Sequence, residues 1–368
     1  MRVLVVNAGS SSLKLRLLDA TDRVVAAHDL PAPRGLADAA TMGDALAGLG
    51  TIDAVGHRIV HGGTEFVAPV VVDEGVVRKL RALSDLAPLH QPKSLSALAA
   101  VGAALPDLPA VACFDTAFHA QMPAAAATYA LPAEWRARWP LRRFGFHGLS
   151  HAYASRRAAE LLGRSPKGFR VVTCHLGAGA SLAAVMDGRS VDTTMGFTPL
   201  EGLVMATRSG SVDPGLVLWL EEHVGMPPAE LAATLEHRSG LLGLAGTPDL
   251  RSILEGEAKG QAESQLAVAV YLHRLRAGVA AMAAAMDGLD ALVFTGGVGE
   301  NAASIRQRSV DGLEFLGVKV DPVRNEDAGD REIGTRTARV RTLVVAARED
   351  LEIARQVRDL LGRPRASG

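Results

Sequence analysis

The stretch VLVVNAGSSSLKLRLLD, residues 3–19, decides how the first unit of the fold is read. Val3–Val6 is a continuous apolar run, the pattern of a strand buried on both faces. Beyond Asn7-Ala-Gly-Ser-Ser-Ser12, Leu13, Leu15 and Leu17 alternate with Ser12, Lys14 and Arg16, which predicts a half-buried second strand. Two residues suffice to turn such a hairpin. Here the turn is longer and made of small or hydroxyl-bearing residues. Glycine and serine let backbone N–H groups point inward with no Cβ in the way, the geometry that cradles phosphate.

The same grammar recurs in RVVTCHLGAGASLAAVMDGRSVDTT, residues 170–194. An apolar run ends at Cys174, residues 175–181 make the turn, a strand resumes over Leu182–Met186, and Asp187-Gly188 predicts a hairpin. A third run, ALVFTGGVGENAASIR at 291–306, reads as a strand, a glycine turn and a helix whose first turn contains Glu300 and Asn301. A duplicated domain with a phosphate-sized turn in each half is the simplest account. QMPAAAATYALP, after FDTAFH (114–119), reads as a linker crossing between the halves. EDLEIARQVRDLLG, 349–362, has helical spacing and predicts a closing helix. The expected domains are 1–120 with 351–368, and 121–350.

Composition narrows the function. The 368 residues carry a formal net charge of −1, with 48% hydrophobic and 21% charged side chains. That balance gives no basic excess for nucleic acid or an anionic membrane surface. No basic segment with an apolar core opens the chain, so no signal peptide is expected. The Ala-rich stretch 267–286 carries His273, Arg274 and Arg276, against a membrane span. Cys113 and Cys174 each sit in an apolar run, which predicts reduced, buried thiols in a cytoplasmic protein.

No G-x-x-x-x-G-K-[ST] occurs, and Gly177-Ala-Gly-Ala-Ser-Leu lacks the third glycine of G-x-G-x-x-G. His57/His61 and His147/His151 are each four apart. AVGHRIVHGG reads as a strand, along which four residues span roughly 13 Å, too far to share one ion. His147 falls just before a helix predicted to begin near Ser150. Core or capping roles are expected for His57, His61, His119 and His151. Arg58, in an apolar strand, and Arg208, in a charge-poor loop, are candidate partners for carboxylates or phosphoryl oxygens. Asp115 ends the run AVACFD, where it is either a strand-end catalytic carboxylate or a helix N-cap.

Two phosphate hairpins in tandem halves, with a further glycine turn, resemble the α/β fold shared by actin, Hsp70 and sugar kinases. That resemblance implies two duplicated ribonuclease-H-like domains with an interdomain active-site cleft. NAGSSSLK, GHRIVHGG, FDTAFH, RRFGFHG, HLGAGAS, DTTMGFTPLEGL with TRSG, DLR and FTGGVGEN follow one another in this order. The ordered set, spanning nearly the whole chain, resembles the acetate kinases and their propionate kinase relatives. The resemblance implies reversible transfer of the ATP γ-phosphoryl to a short carboxylate with Mg²⁺ (or Mn²⁺), and a homodimer. It puts Asn7 and Glu349 at the metal, Lys14 with Ser10 and Ser12 at the nucleotide phosphates, and Arg58 on the substrate carboxylate. Asp115 is implied as the catalytic carboxylate, with His147 and Arg208 stabilising the transferring phosphoryl. The nucleotide falls to His175, Leu176, Gly177, Ala178 and Gly179, to Asp249, Leu250 and Arg251, and to Gly297, Val298, Gly299, Glu300 and Asn301. Val60, Leu89, Phe146 and Pro199 would make a small apolar pocket for the methyl group. Ala178, Leu149, Gln91 and Ser211 stand where the family pattern has Asn, Thr, Asn and an acidic residue, and the region before Gly56 is shorter than usual. A propionate or other short-chain acyl kinase is the alternative, and an actin- or Hsp70-like ATP switch is a different class of reading.

Overall fold

The computed structural model describes residues 1–9, 12–31, 39–87 and 91–362. The chain divides into two compact units. Unit 1 comprises Met1–Gln121, Phe146–Tyr153 and Arg348–Gly368, and unit 2 comprises Met122–Gly145 and Ala154–Ala347.

Unit 1 is built on β1 (Val3–Ala8), β2 (Ser12–Leu18), β3 (Val24–Pro31), β4 (Ala54–Ile59), β5 (Val70–Val71) and β6 (Ala110–Phe114). Their order in the sheet is β3-β2-β1-β4-β6-β5. β1 and β2 pair antiparallel, with Val6 opposite Leu15 and Asn7 opposite Lys14, while β1–β4 and β4–β6 are parallel. Because side chains alternate across a strand, β1 feeds two cores at once. Leu4 and Val6 join Leu13, Leu15, Ala97 and Val101 on the face covered by the helix Gln91–Ala104. Val3 and Val5 join Ile353, Ala354 and Val357 of the helix Glu349–Leu361. The predicted closing helix therefore forms and belongs to unit 1. It lies so close to β4 that a Cβ on Gly56 would sit 2.5 Å from Ile353 and 2.8 Å from Val357.

Unit 2 is built on β7 (Arg170–Leu176), β8 (Ala180–Met186), β9 (Arg189–Thr193), β10 (Ala291–Thr295), β11 (Arg331–Glu332) and β12 (Arg341–Val344). Their order is β11-β12-β10-β7-β8-β9. Asp187 and Gly188, at φ 55° and 74°, make the predicted turn between β8 and β9. The helix Ala262–Ala284 is long and apolar enough to cross a membrane by length and composition. It buries Ala267, Val268, Leu272, Leu275 and Val279, and Gly278 lets it approach Leu182. Such burial is that of a core helix.

Four local expectations are corrected. The AVGHRIVHGG stretch is a strand only to Ile59. Residues 121–132 do not simply cross over: Ala124–Ala127 is a helical turn and Thr128 bridges to Arg142. The stretch after β10 has no separate glycine turn, because Gly296 alone, at φ 78°, redirects the chain into a one-turn helix Gly296–Asn301. Glu300 and Asn301 thus end that helix, and a second, Ala303–Asp311, follows. The helix after His147, by contrast, begins at Gly148, within two residues of its expected start. Cys113 and Cys174 are free and buried, and burial pushes both thiols upward in pKa.

Candidate active site

In unit 1 the parallel strands deliver polar side chains to one place. Asn7 is near the end of β1, Arg58 lies in β4, Asp115 follows β6, and Glu349 opens the helix Glu349–Leu361. The Arg58 guanidinium donates to both Asp115 carboxylate oxygens, Nε to Oδ1 at 3.1 Å and Nη2 to Oδ2 at 2.5 Å. Nη1 donates to Asn7 Oδ1 at 3.2 Å. The Asn7 amide donates to Glu349 Oε2 at 2.9 Å, which also lies 3.5 Å from Arg58 Nε. Asp115 is 1% exposed and Arg58 15%. Burial opposes the charge on Arg58, but Asp115 and Glu349 more than offset it and hold its pKa above the ordinary value. Asp115 is not a helix cap: the short helix Ala117–His119 starts after Thr116, and the aspartate is bound to Arg58.

His147 reaches this half on the segment Phe146–Tyr153. Its φ is 55°, a left-handed conformation few non-glycine residues adopt. The cause is local. Gly148 N–H donates to Asp115 O at 2.9 Å, so close that a Cβ on Gly148 would meet that oxygen. The His147 ring lies 6.5 Å from that of His151, which is 5.7 Å from His119. His119 Nε2 donates to Phe146 O at 3.1 Å. Burial lowers the pKa of His57, His61 and His119 to about 4 each. Phe146 and Val60 are buried, and the Phe146 ring meets His61 edge-on at 5.5 Å.

Three family departures have structural roles. Gln91 is wholly buried and clamps His61, accepting from its N–H at 3.2 Å and donating to its carbonyl at 3.0 Å. Leu149 fills the core beside Cys113 and Val357. Ser211 Oγ accepts from Gly202 N–H at 3.1 Å.

Unit 2 contains a cavity of about 420 Å³, lined by Gly177, Ala178, Asp249, Leu250, Arg251, Gly297, Val298 and Asn301, among others. Eight residues singled out in the sequence thus converge on one wall. Five others do not line it. Leu176 is buried in the core, and Gly299 packs against the backbone of Phe294. Glu300 accepts from Ala347 N–H at 2.9 Å, while His175 and Gly179 lie along the β7–β8 hairpin. Arg208 is ion-paired to Glu236 at 3.3 Å and donates to Pro199 O at 3.3 Å, so two more of the expected residues adjoin. Burial lowers the pKa of Arg208, and Glu236 opposes that shift. Lys14 is exposed and Ser12 half-buried on β2. Ser10 and Leu89 lie outside the described residues.

Sequence reasoning missed Tyr271, Leu241, Leu254 and Pro248 on the cavity wall, Glu236 beside Arg208, and Arg306. The last is 1% exposed and donates to the carbonyls of Gly299 and Glu300 at 2.9 and 2.8 Å. It thereby ties down the C-terminal end of the helix Gly296–Asn301. Arg306 stood inside the quoted glycine stretch. The others carried no local signal.

The family model described as the Acetokinase family matches residues 36–355. The chain belongs to the acetokinase family. An acetate kinase of Clavibacter michiganensis subsp. michiganensis is 45% identical over 386 residues, covering 96% of this chain and 98% of that protein. The crystal structure of Porphyromonas gingivalis acetate kinase matches with a TM-score of 0.91 at 36% identity, over 98% of this chain and 99% of that one. A propionate kinase from Francisella tularensis subsp. tularensis SCHU S4 gives 0.89 at 36% identity, over 96% and 98%.

Proposed function

We propose that this acetokinase transfers the γ-phosphoryl group of ATP to acetate, reversibly, forming acetyl phosphate and ADP. Family membership over most of the chain carries the reading. The buried arginine–carboxylate site of unit 1 and the glycine-walled cavity of unit 2 support it.

A short carboxylic acid ionises near pH 4, so the acceptor is already an anion and needs no general base. The chemical difficulty is to bring that anion up to a polyanionic phosphate. Arg58 binds the acceptor carboxylate, aimed by Asp115 and Asn7. Asp115 acts as a positioner rather than a proton acceptor. His147 and Arg208 stabilise the charge on the transferring phosphoryl oxygens. Lys14, opposite Asn7 on the neighbouring strand, serves the nucleotide phosphates with Ser10 and Ser12.

The oxygen donors of Asn7 and Glu349 fit a hard divalent cation, Mg²⁺ first and Mn²⁺ as substitute. Mg²⁺ is ordinarily held by one or two carboxylates together with water and substrate phosphates. When bound, it would neutralise charge on the β- and γ-phosphates. Unit 1, which takes in Phe146–Tyr153 and Arg348–Gly368 beside Met1–Gln121, is assigned to the acceptor side and unit 2 to the nucleotide side. Val60, Leu89, Phe146 and Pro199 set the acceptor length. One methylene shifts such discrimination only about 10- to 200-fold, and a propionate kinase matches at the same 36% identity as an acetate kinase. Propionate is therefore the second acceptor. A nucleotide switch would not need Arg58, Asp115, His147 and Arg208 together.

Trapping of acyl phosphate from Mg-ATP with acetate, propionate or butyrate tests the reading. Acetate should give the highest kcat/KM, and no acyl phosphate from any of the three would leave the nucleotide switch standing. Buried free cysteines support a reducing cytoplasm. The helix Pro214–Val224 supports a homodimer, since it buries none of its residues while Leu216, Leu218, Trp219 and Val224 are exposed. Sedimentation should find a dimer in the native chain and a shift to monomer in Trp219→Asp. A native monomer would refute the assignment.

A further inference from the structure

At Ile59 the sheet pairing of β4 ends, with Asp115 N–H donating to Ile59 O at 3.0 Å. Val60, His61 and Gly62 are nevertheless buried, so their backbone polar groups need partners other than a strand neighbour. One side chain meets that need twice. Gln91, the first residue of the helix Gln91–Ala104, accepts from His61 N–H and donates to His61 O, as an adjacent strand would. Gly62 N–H donates to Thr116 Oγ1 at 3.0 Å, next to Asp115. Gly63 N–H donates to His61 Nδ1 at 2.9 Å and so pins the ring that meets Phe146 edge-on. The segment has no slack, since a Cβ on Gly62 would lie 2.3 Å from Phe66 O. Three of the four residues assigned to the methyl wall are tied to this clamp. Val60 precedes His61 in the chain, Phe146 packs on its ring, and Leu89 stands two residues before Gln91.

We propose that Gln91 is a positioning residue for acceptor length: by holding the His61 peptide it sets where Val60 stands, and so how long an acyl chain is admitted. The inference rests on the reading of Val60, Leu89, Phe146 and Pro199 as the acceptor wall. An apolar wall tells acetate from propionate by volume alone, and that works only while the wall does not yield to an added methylene. A carboxamide offers a donor and an acceptor in one plane, so it fixes both ends of the peptide it meets. An apolar side chain of the same length would fix neither. The buried amide thus converts a hydrogen-bonding need of the backbone into a fixed pocket width.

Steady-state kinetics with acetate, propionate and butyrate, together with thermal melts, test this in Gln91→Met, Gln91→Asn and Val60→Ala. Methionine matches glutamine in length without its amide, asparagine keeps the amide one methylene short, and Val60→Ala opens the wall directly. In both Gln91 variants kcat/KM for propionate relative to acetate should rise about two- to tenfold, the worth of one neutral hydrogen bond. KM for ATP should stay at its native value. Val60→Ala should raise the same ratio at least as much. If Val60→Ala raises it and neither Gln91 variant does, the role of Gln91 is overturned and the wall reading survives. If Val60→Ala leaves the ratio native, the wall reading falls and the proposal with it. Gln91→Met should also melt lower, because the His61 peptide loses both bonds to the amide. A lower melting temperature with kcat/KM falling equally for all three acceptors would show a purely structural role and overturn the proposal. Should Gln91→Met fail to fold, Gln91→Asn decides by the same ratio.

Discussion

Strand for strand, β1 to β6 of unit 1 correspond to β7 to β12 of unit 2. The orders β3-β2-β1-β4-β6-β5 and β9-β8-β7-β10-β12-β11 are the same path traced twice. Each begins with an antiparallel hairpin, sets its fourth strand parallel to its first, and finishes with a two-residue antiparallel edge strand. The strand ends differ. Unit 1 places Asn7, Arg58 and Asp115 there, joined by hydrogen bonds, whereas unit 2 places Gly177 after β7 and Gly296 and Gly297 after β10. One scaffold thus offers two chemistries. Side-chain charge suits a small anion, and bare backbone suits a large polyphosphate that must approach closely.

The interiors differ as well, and acid should separate them most strongly. Unit 1 buries His57, His61 and His119, while unit 2 buries no histidine among its described residues. With native pKa values of about 4 and an unfolded value of about 6.5, these rings bind fewer protons folded than unfolded between those limits. Their contribution is therefore fully present above about pH 6.5 and is lost as pH falls toward 4. The loss at pH 5 is on the order of 2 kcal/mol per histidine. Hydrogen exchange, corrected for intrinsic rates, should show protection in β1 and β4 collapsing between pH 7 and 5 while β7 and β10 hold. Equal losses in both sheets would break the contrast.

Arg208→Ala comes next. It should lower kcat at least about a hundredfold, the usual effect of removing one donor to a developing charge, with KM for ATP little changed. Near-normal turnover would remove Arg208 from the mechanism. A pair of glycines then sharpens the comparison. Gly56→Ala forces a methyl into Ile353 and Val357 and should destabilise by about 1–3 kcal/mol with native KM values. Gly297→Ala meets open space and should leave the melting temperature alone while raising KM for ATP. Swapped outcomes would mean that the glycines of unit 2 are there for packing. The smallest effect is expected at Glu236, the positioning partner of Arg208. Glu236→Gln keeps the shape but removes the charge, and kcat should fall about tenfold, roughly 1.4 kcal/mol, with KM for ATP unchanged. A rise in kcat would instead show that the ion pair restrains the arginine.

What could be read in the sequence was what is local. Strand periodicity and the turn at Asp187-Gly188 depend on neighbours in the chain, and these are where they were expected, whereas the glycines after β10 open a helix instead of making a turn. The duplication was legible for the same reason, since each half repeats a local pattern. The bond between Arg58 and Asp115 spans 57 positions and Asn7 to Glu349 spans 342. Only the family resemblance brought those residues together beforehand. Leu241 and Tyr271 reach the cavity from separate helices, and nothing in their immediate sequence distinguishes them from ordinary core positions. The Ala-rich piece at 124–127 was misread because alanine has strong helix propensity but no periodicity to display.

The helix Glu349–Leu361 has a consequence for how the protein is made. Its Ile353, Ala354 and Val357 complete the core under β1 and β4, and its first residue completes the Arg58 cluster. On the ribosome, domains ordinarily finish in the order in which they emerge. Here β1 and β4 must wait for residues 349–361, with Val3 and Val5 lacking their cover until then. Unit 2, whose longest segment ends at Ala347, has its entire sequence translated first. Unit 1 is thus begun before unit 2 and completed after it, so a chain that stops before Glu349 would retain the whole sequence of unit 2 while the Arg58 cluster lacks Glu349.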